Sequence, residues 1–234
     1  MLSKLKKLIS VTFDGSIIQL KDRENAAEVL YSILKSKLNN AYFDDYLILG
    51  VPRGGVVIAD IIATKFQCSF YMVIPRRLLS PYNKELSIGA IMKDNTLYLN
   101  SSVIKNLKVT DSYLQIEKKR QINEIKKIER ILGEQVEGYR IRNKNIILVD
   151  DGVATGSTLI VALRWIKKNK PKKVIAVIPV CPKSTLKLLK EEANDVELIL
   201  APSTKNFTTI DKYYQNFPEL EMQKISEIIK KHES

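Results

Sequence analysis

The sequence predicts an α/β fold, a doubly wound and mostly parallel sheet, on three observations. Short runs at 46–51, 70–74, 146–149, 173–180 and 196–200 are almost continuously apolar and rich in β-branched residues. Strands that alternate apolar and polar face water on one side, whereas continuous apolar runs belong to strands covered on both faces. These runs are separated by stretches whose apolar residues recur at helical spacing, the alternation that builds parallel sheets. Finally, two of the runs lead straight into loops of small residues that open helices, Pro52-Arg53-Gly54-Gly55 and Asp150-Asp151-Gly152-Val153-Ala154-Thr155-Gly156-Ser157-Thr158. Such loops fall at the carboxyl edge of the sheet, where open α/β folds bind ligands.

Each element follows from local pattern. In residues 1–19, Val11-Thr12-Phe13 and Ile17-Ile18 suggest a short hairpin across Asp14-Gly15. Over 21–38, Ala26, Ala27, Val29, Leu30, Ile33, Leu34 and Leu38 mark one face of a helix that Asn39-Asn40 should stop. The strand at 46–51 feeds a helix carrying Val56, Val57, Ile58, Ile61 and Ile62, and the strand at 70–74 ends in Pro75-Arg76-Arg77. Residues 78–86 contain Pro81 and Asn83 without periodicity and read as a mobile loop. Runs at 88–92 and 96–99 flank Lys93-Asp94-Asn95, a hairpin signal. A long charged helix is predicted over 112–132, a connector over 133–145, a helix after the central loop, and another over 184–193. An aromatic segment and an amphipathic helix, 207–231, close the chain. The whole, 1–234, is expected to be one domain with its core at about 20–201.

Composition narrows the function. At 234 residues, 45% hydrophobic and 27% charged, the chain is that of a globular protein with a core needing no staples. No apolar run approaches a membrane span, and Met1 to Ile9 lacks the apolar core of a secretory signal, so a cytoplasmic location is expected. The two cysteines, Cys68 and Cys181, have no metal or redox spacing and read as packing residues. The single histidine, His232, excludes a histidine-based triad or zinc cluster. Net charge is +12, but the lysines sit in helical stretches interleaved with acidic or apolar positions, and no aromatic-and-basic ladder accompanies them. A solvated helix face is the better account, and nucleic acid is disfavoured.

The central loop has chemistry in it. A helix N-terminus presents unpaired N–H groups and a positive dipole end, so the short side chains of Ala154, Thr155, Gly156, Ser157 and Thr158 allow an anion to approach. The loop has no Lys and is not a Walker A loop. Asp150 and Asp151 disfavour a second anion but accept hydrogen bonds from vicinal hydroxyls. A phosphate monoester and a diol one sugar apart describe a ribose 5-phosphate. Upstream, Gly54 and Gly55 permit a turn that offers amides to an anion, with Arg53 as a charged fork. Arg76 and Arg77 beside it suit a ligand with several negative charges. The alternatives are a structural strand–turn–helix, or an acidic pair binding Mg²⁺ as in receiver domains. The receiver pattern is disfavoured because the first strand ends in Pro-Arg-Gly-Gly.

The run from Ile146 to Thr158 resembles the signature of the type I phosphoribosyltransferases: four apolar residues, two acidic ones, two variable positions, a small residue, Thr-Gly and a hydroxyl pair. The resemblance implies that Asp150 and Asp151 hold the ribose hydroxyls of phosphoribosyl pyrophosphate, and that Ala154, Thr155, Gly156, Ser157 and Thr158 hold its 5-phosphate. It implies that Arg53, Gly54 and Gly55 form a pyrophosphate loop with an unusual cis peptide, helped by Arg76 and Arg77, and that a flexible lid lies near 78–86. Asp150, Asp151 and Arg53 are then the candidate catalytic residues. Residues 76–90 also resemble a narrower group of bacterial and archaeal phosphoribosyltransferase-like proteins with Arg-Lys-Leu-Gly-x-Pro-x-Asn-Pro-Glu-Leu. Here Arg77, Leu79 and Lys84 replace the Lys, the Gly and the second Pro.

The expected cofactor is Mg²⁺, held mainly through the ligand, with Asp150 and Asp151 as the available direct ligands. The expected partners are phosphoribosyl pyrophosphate and a small-molecule acceptor, with a homodimer compatible with the chain and no membrane called for. The family's 6-oxopurine enzymes carry Asp where Ala154 stands, and a methyl group can neither give nor take a proton. The acceptor is therefore expected not to be hypoxanthine, guanine or xanthine. A competing reading is a non-catalytic sensor of phosphoribosyl pyrophosphate or a nucleotide, since a pocket does not entail catalysis.

Overall fold

The computed structural model describes residues 20–38, 43–133, 138–193, 195–200 and 207–232. The expected hairpin within 1–19 and the Asn39-Asn40 stop lie outside the described residues. In chain order, α1 (Arg23–Lys37), β1 (Tyr46–Gly50), α2 (Gly54–Phe66) and β2 (Ser69–Met72) come first. Three short strands follow, β3 (Arg76–Leu79), β4 (Ser87–Ile91) and β5 (Leu97–Leu99), then α3 (Ser101–Asn106), α4 (Asp111–Leu132) and α5 (Gly138–Ile141). The chain continues through β6 (Asn145–Val149), α6 (Ser157–Lys168), β7 (Lys173–Ile178), α7 (Lys183–Glu192), β8 (Glu197–Leu200) and α8 (Met222–Lys230). The helices over 23–37 and 111–132 start within two residues of the expected positions, at capping side chains that the sequence reading did not single out. The Asp22 side chain accepts from Asn25 N at 2.7 Å at the head of α1, and Thr110 caps α4 through Tyr113 N.

Five strands form one parallel sheet in the order β2-β1-β6-β7-β8. The register explains the continuous apolar runs. In β6, Ile147 and Val149 join a core under α1, α2 and α8, while Ile146 and Leu148 join a second core under α6 and α7. Both faces are covered, so neither set tolerates a polar residue. Because β1 leads into α2 on one face and the adjacent β6 leads into α6 on the other, the two loops diverge. The crevice between them is the switch point of the sheet.

The predicted loop at 78–86 is a correction. β3 pairs antiparallel with β4, Arg77 opposite Ala90 and Leu78 opposite Gly89, and β4 pairs with β5 in the expected hairpin. Leu78 is fully buried against Ile88, Ile91 and Leu114, which outweighs the turn signals beside it. Only the stretch after Leu79 is a turn, closed by Ser80 N donating to Leu86 O at 2.9 Å and Glu85 N to Asn83 Oδ1 at 2.8 Å. Helices α3 and α5 were not predicted, being too short to show periodicity. β2 stops at Met72, before the apolar run does, but Val73 and Ile74 remain buried.

The aromatic tail is anchored to the start of the described chain. Leu20 bridges Tyr214, Leu20 N donates to Tyr213 O at 2.9 Å, and Gln215 N donates to Leu20 O at 2.8 Å. Tyr213 and Tyr214 are buried, which lays residues 214–220 alongside the ends of α1 and β6.

Candidate functional site

A cleft of about 230 Å³ opens at the carboxyl edge of the sheet, at its switch point. Its walls include Arg53 after β1, Arg76 and Arg77 of β3, Asp150 and Asp151 after β6, and Thr158 in the first turn of α6. Six residues singled out from the sequence, carried by the loops after β1 and β6, by β3 and by the first turn of α6, thus line one cavity. The other six predicted positions sit behind or beside it. Gly54 and Gly55 are buried at the head of α2, Ala154 and Thr155 are exposed, and Gly156 and Ser157 are buried.

Each placement has a local cause. The peptide between Pro52 and Arg53 is cis. Gly54 is required because a Cβ there would stand 1.6 Å from Asp151 Oδ2, so the head of α2 approaches the acidic pair as no other residue permits. That makes close packing, as well as amide exposure, a reason for the glycine. Gly156 has φ +83°, the left-handed region, and turns the chain into α6 with no side chain capping the helix. The first-turn amides of α6 are left for a ligand or water. The Thr185 hydroxyl donates to Ala154 O and braces this loop from α7.

The acidic pair is asymmetric. Asp150 is buried and its Oδ1 accepts from Asp151 N at 2.9 Å. Burial first, and the adjacent Asp151 second, push the Asp150 carboxyl well above the usual carboxylate range. Asp151 Oδ2 accepts from Arg23 Nε at 2.8 Å in an ion pair with little exposure on either side. Tyr214 donates its hydroxyl to Asp151 O at 2.7 Å, and burial raises that phenol's pKa, with Asp151 adding to the effect.

Sequence reasoning missed Arg23. It lies on the same helical stripe as Ala26, Ala27, Leu30 and Leu34, and a cation on a buried stripe was the available signal. Its Nη1 donates to Pro218 O at 2.9 Å and its guanidinium lies 3.7 Å from the centre of the Phe217 ring. Arg53 is engaged by the same segment. Its Nη1 donates to Leu220 O at 2.6 Å and its Nη2 to Glu219 Oε1 at 2.8 Å. Residues 214–220 therefore tie together both loops of the cleft.

Arg76 is positioned from α4. Its Nε donates to Gln121 Oε1 at 3.2 Å, Gln121 Nε2 donates to Glu117 Oε1 at 2.8 Å, and Arg120 grips Glu117 with two bonds of 2.7 and 2.9 Å. Glu117 and Gln121 are almost wholly buried. Reading the charged helix as a solvated face misses this, because two polar residues occupy the stripe shared with Leu114, Ile125 and Leu132.

The pH dependence of stability follows from Asp150. A carboxyl whose folded pKa lies above its unfolded value favours the neutral form, so its stabilising contribution is full below the unfolded pKa, about 4. That contribution is lost as the pH rises through the folded value. Asp150→Asn keeps the acceptor for Asp151 N and removes the charge. Thermal melts should show the variant more stable than the wild type at pH 8, with the gap closing toward pH 4. A gap that widens on acidification would refute the assignment.

Both thiols are pushed up to about 12 by burial, in keeping with packing roles for Cys68 and Cys181. His232 Nε2 lies 2.7 Å from Asp60 Oδ1 in the tail. Among the described residues no three His, Cys, Asp or Glu side chains cluster as a metal cage, and no helix is long and apolar enough to cross a membrane.

Comparison with known proteins gives a consistent picture. Residues 92–214 match the family profile described as "Phosphoribosyl transferase domain". Two Mycobacterium tuberculosis proteins provisionally named phosphoribosyl transferases are 25% identical over 173 residues, 74% of this chain and 39% of theirs. The chain thus spans well under half the length of these relatives. A crystal structure from Thermus thermophilus is similar over 90% of this chain and 97% of that one, with TM-score 0.69 and 26% identity. An Aquifex aeolicus structure is similar over 80% of this chain and 76% of its own, with TM-score 0.52 and 15% identity, a likeness of fold.

Proposed function

The chain belongs to the phosphoribosyl transferase family, and on that premise we propose that its cleft binds Mg²⁺-phosphoribosyl pyrophosphate and transfers the 5-phosphoribosyl group to a small acceptor, releasing pyrophosphate. The observation that carries this is the 230 Å³ cavity itself, with three arginines and an acidic pair gathered from three separate segments of the chain at the switch point. The reading treats 1–234 as one phosphoribosyltransferase unit.

In it, the uncapped first turn of α6, with Thr155, Gly156, Ser157 and Thr158, holds the 5-phosphate beside Ala154. Asp150 and Asp151 take the ribose hydroxyls. Arg23 occupies one oxygen of Asp151 and leaves the other for the sugar. Arg53 exchanges Glu219 and the Leu220 carbonyl for pyrophosphate oxygens, joined by Arg76, Arg77 and the amides of Gly54 and Gly55. As pyrophosphate departs the ribose becomes cationic; the part-buried Asp151 offsets that charge, Asp150 adds to it where ionised, and the arginines stabilise the leaving group. The cavity offers Mg²⁺ two carboxylates, so the ion would draw its other ligands from the pyrophosphate and water, and when bound it would neutralise leaving-group charge.

One observation favours a second reading, a sensor without turnover. The Arg53 fork is already engaged by residues 219 and 220, so ligand binding would release the tail. The experiment is calorimetry with Mg²⁺-phosphoribosyl pyrophosphate, followed by pyrophosphate release with a panel of acceptors. Saturable binding is expected, weakened by about 2 kcal/mol or more in Asp150→Asn/Asp151→Asn, with no transfer to hypoxanthine, guanine or xanthine. Unchanged affinity in a folded double variant would sink the ribose assignment. Binding without release for any acceptor would select the sensor.

A further inference from the structure

A second cavity, of about 440 Å³, shares Pro52, Arg53, Pro75 and Arg76 with the cleft and is otherwise lined by Ile74 after β2 and from α4 and α8. Its size is that of small-molecule sites, and its walls are suitably apolar, with Ile74, Ile128, Ile131 and Met222. Its charges nearly cancel. Lys127 Nζ lies 2.6 Å from Glu124 Oε1, and Arg53 is paired with Glu219 at 2.8 Å. Arg76 is the third cation beside Arg53 and Lys127; Glu124 and Glu117 act on it through space, and Glu124 with Glu219 leaves one positive charge in excess. The Arg76 Nε is bonded to Gln121, yet its two terminal nitrogens have no hydrogen-bond partner among the described residues.

An arginine held in place by a buried network, with an open fork at the border of the cleft and a partly apolar cavity, is arranged for a planar anion. Burial lowers the pKa of this guanidinium, so an anion there recovers interactions lost with water. We propose that the cavity binds a small amphipathic monocarboxylate, its carboxylate on the terminal nitrogens of Arg76 and its apolar body against Ile74, Ile128, Ile131 and Met222. One unbalanced cation sets one negative charge. A neutral molecule would leave the fork unsatisfied, and a dianion would find no second free cation among the lining side chains. Because the same guanidinium lines the cleft, the bound acid and pyrophosphate contend for it, so the cavity down-regulates ligand binding next door. That coupling rests on the reading of the cleft given above.

The test is calorimetry on the full chain with 1-naphthoate, and with 1-naphthalenemethanol as its neutral counterpart. The acid should bind about tenfold tighter or more. Ile131 is 54% exposed, so Ile131→Glu should fold. It places a like charge at the cavity and should weaken naphthoate about tenfold while leaving pyrophosphate affinity unchanged. Saturating pyrophosphate should weaken naphthoate in the wild type. Equal affinity for acid and alcohol, or naphthoate binding indifferent to Ile131→Glu, overturns the site. Naphthoate binding indifferent to pyrophosphate, in protein shown to bind both, overturns the shared arginine. If pyrophosphate does not bind at all, the cleft reading fails, and the acid–alcohol and Ile131→Glu comparisons decide the cavity by themselves.

Discussion

Gly54→Ala should lower stability by about 3 kcal/mol and reduce affinity for phosphoribosyl pyrophosphate by about a hundredfold, roughly 2.7 kcal/mol. One methyl group is added, but its carbon would stand 1.6 Å from Asp151 Oδ2, 2.2 Å from Asp151 Cγ and 2.8 Å from Arg23 Nε. Something must move. The head of α2 is fixed by the packing of Val56, Val57 and Ile58, so the carboxylate gives way. In doing so it leaves Arg23, and two nearly buried charges lose each other. Denaturant unfolding and calorimetry measure the two losses. The double variant Gly54→Ala/Asp151→Ala removes the obstructed group and should recover part of the stability, a non-additivity peculiar to this contact. Gly54→Ala with wild-type stability and affinity would show that the loop has room to spare.

The Gly54 contact shows where sequence reasoning stops. A glycine pair at a strand–helix junction is legible, and so is an acidic pair at the end of another strand. That one glycine exists to admit one of those carboxylates is a fact of sheet order, β1 beside β6, which no local window contains. The central strand, loop and first turn of α6 were readable because the residues that form them are contiguous, an apolar run, an acidic pair and a short hydroxyl-rich loop in one window. Arg76 was readable as a charge, but not as a charge with a fixed fork. Gln121, which holds it, lies 45 positions away, and Glu117 behind it belongs to a charged helix whose buried side is read from its leucines and isoleucines alone. Periodicity counts apolar residues, so a buried stripe of mixed chemistry, Leu114, Glu117, Gln121 and Ile125, reads as less buried than it is. The misread at 78–79 has a related cause. Strand β3 owes its existence to partners across a hairpin and to Leu78 packing on α4, while Pro81 and Asn83 advertise only the turn that follows.

Arg23→Leu should be the most damaging single change to a residue that the sequence did not flag. The side chain stands 8% exposed and its partner Asp151 13%. Removing the cation leaves a carboxylate beside Asp150 with no counter-charge, and breaking such a pair from one side costs about 3–5 kcal/mol. Further interactions disappear with it, the bond to Pro218 O and the face contact with Phe217, so the segment that also engages Arg53 loses a fixing point. Arg23→Lys keeps the charge but cannot reach Asp151 and Pro218 with a planar fork while lying on Phe217, and should recover part of the loss. A structural role alone predicts loss of stability with affinity intact in the folded fraction. Positioning of Asp151 predicts weaker phosphoribosyl pyrophosphate binding at temperatures where both proteins are folded. The decisive comparison is made in Asp151→Asn. There no carboxylate remains to be stranded, so Arg23→Leu should cost less than in the wild type by about 2 kcal/mol. Equal costs in the two backgrounds would locate the importance of Arg23 in the Phe217–Pro218 contact, and the ion pair would be incidental.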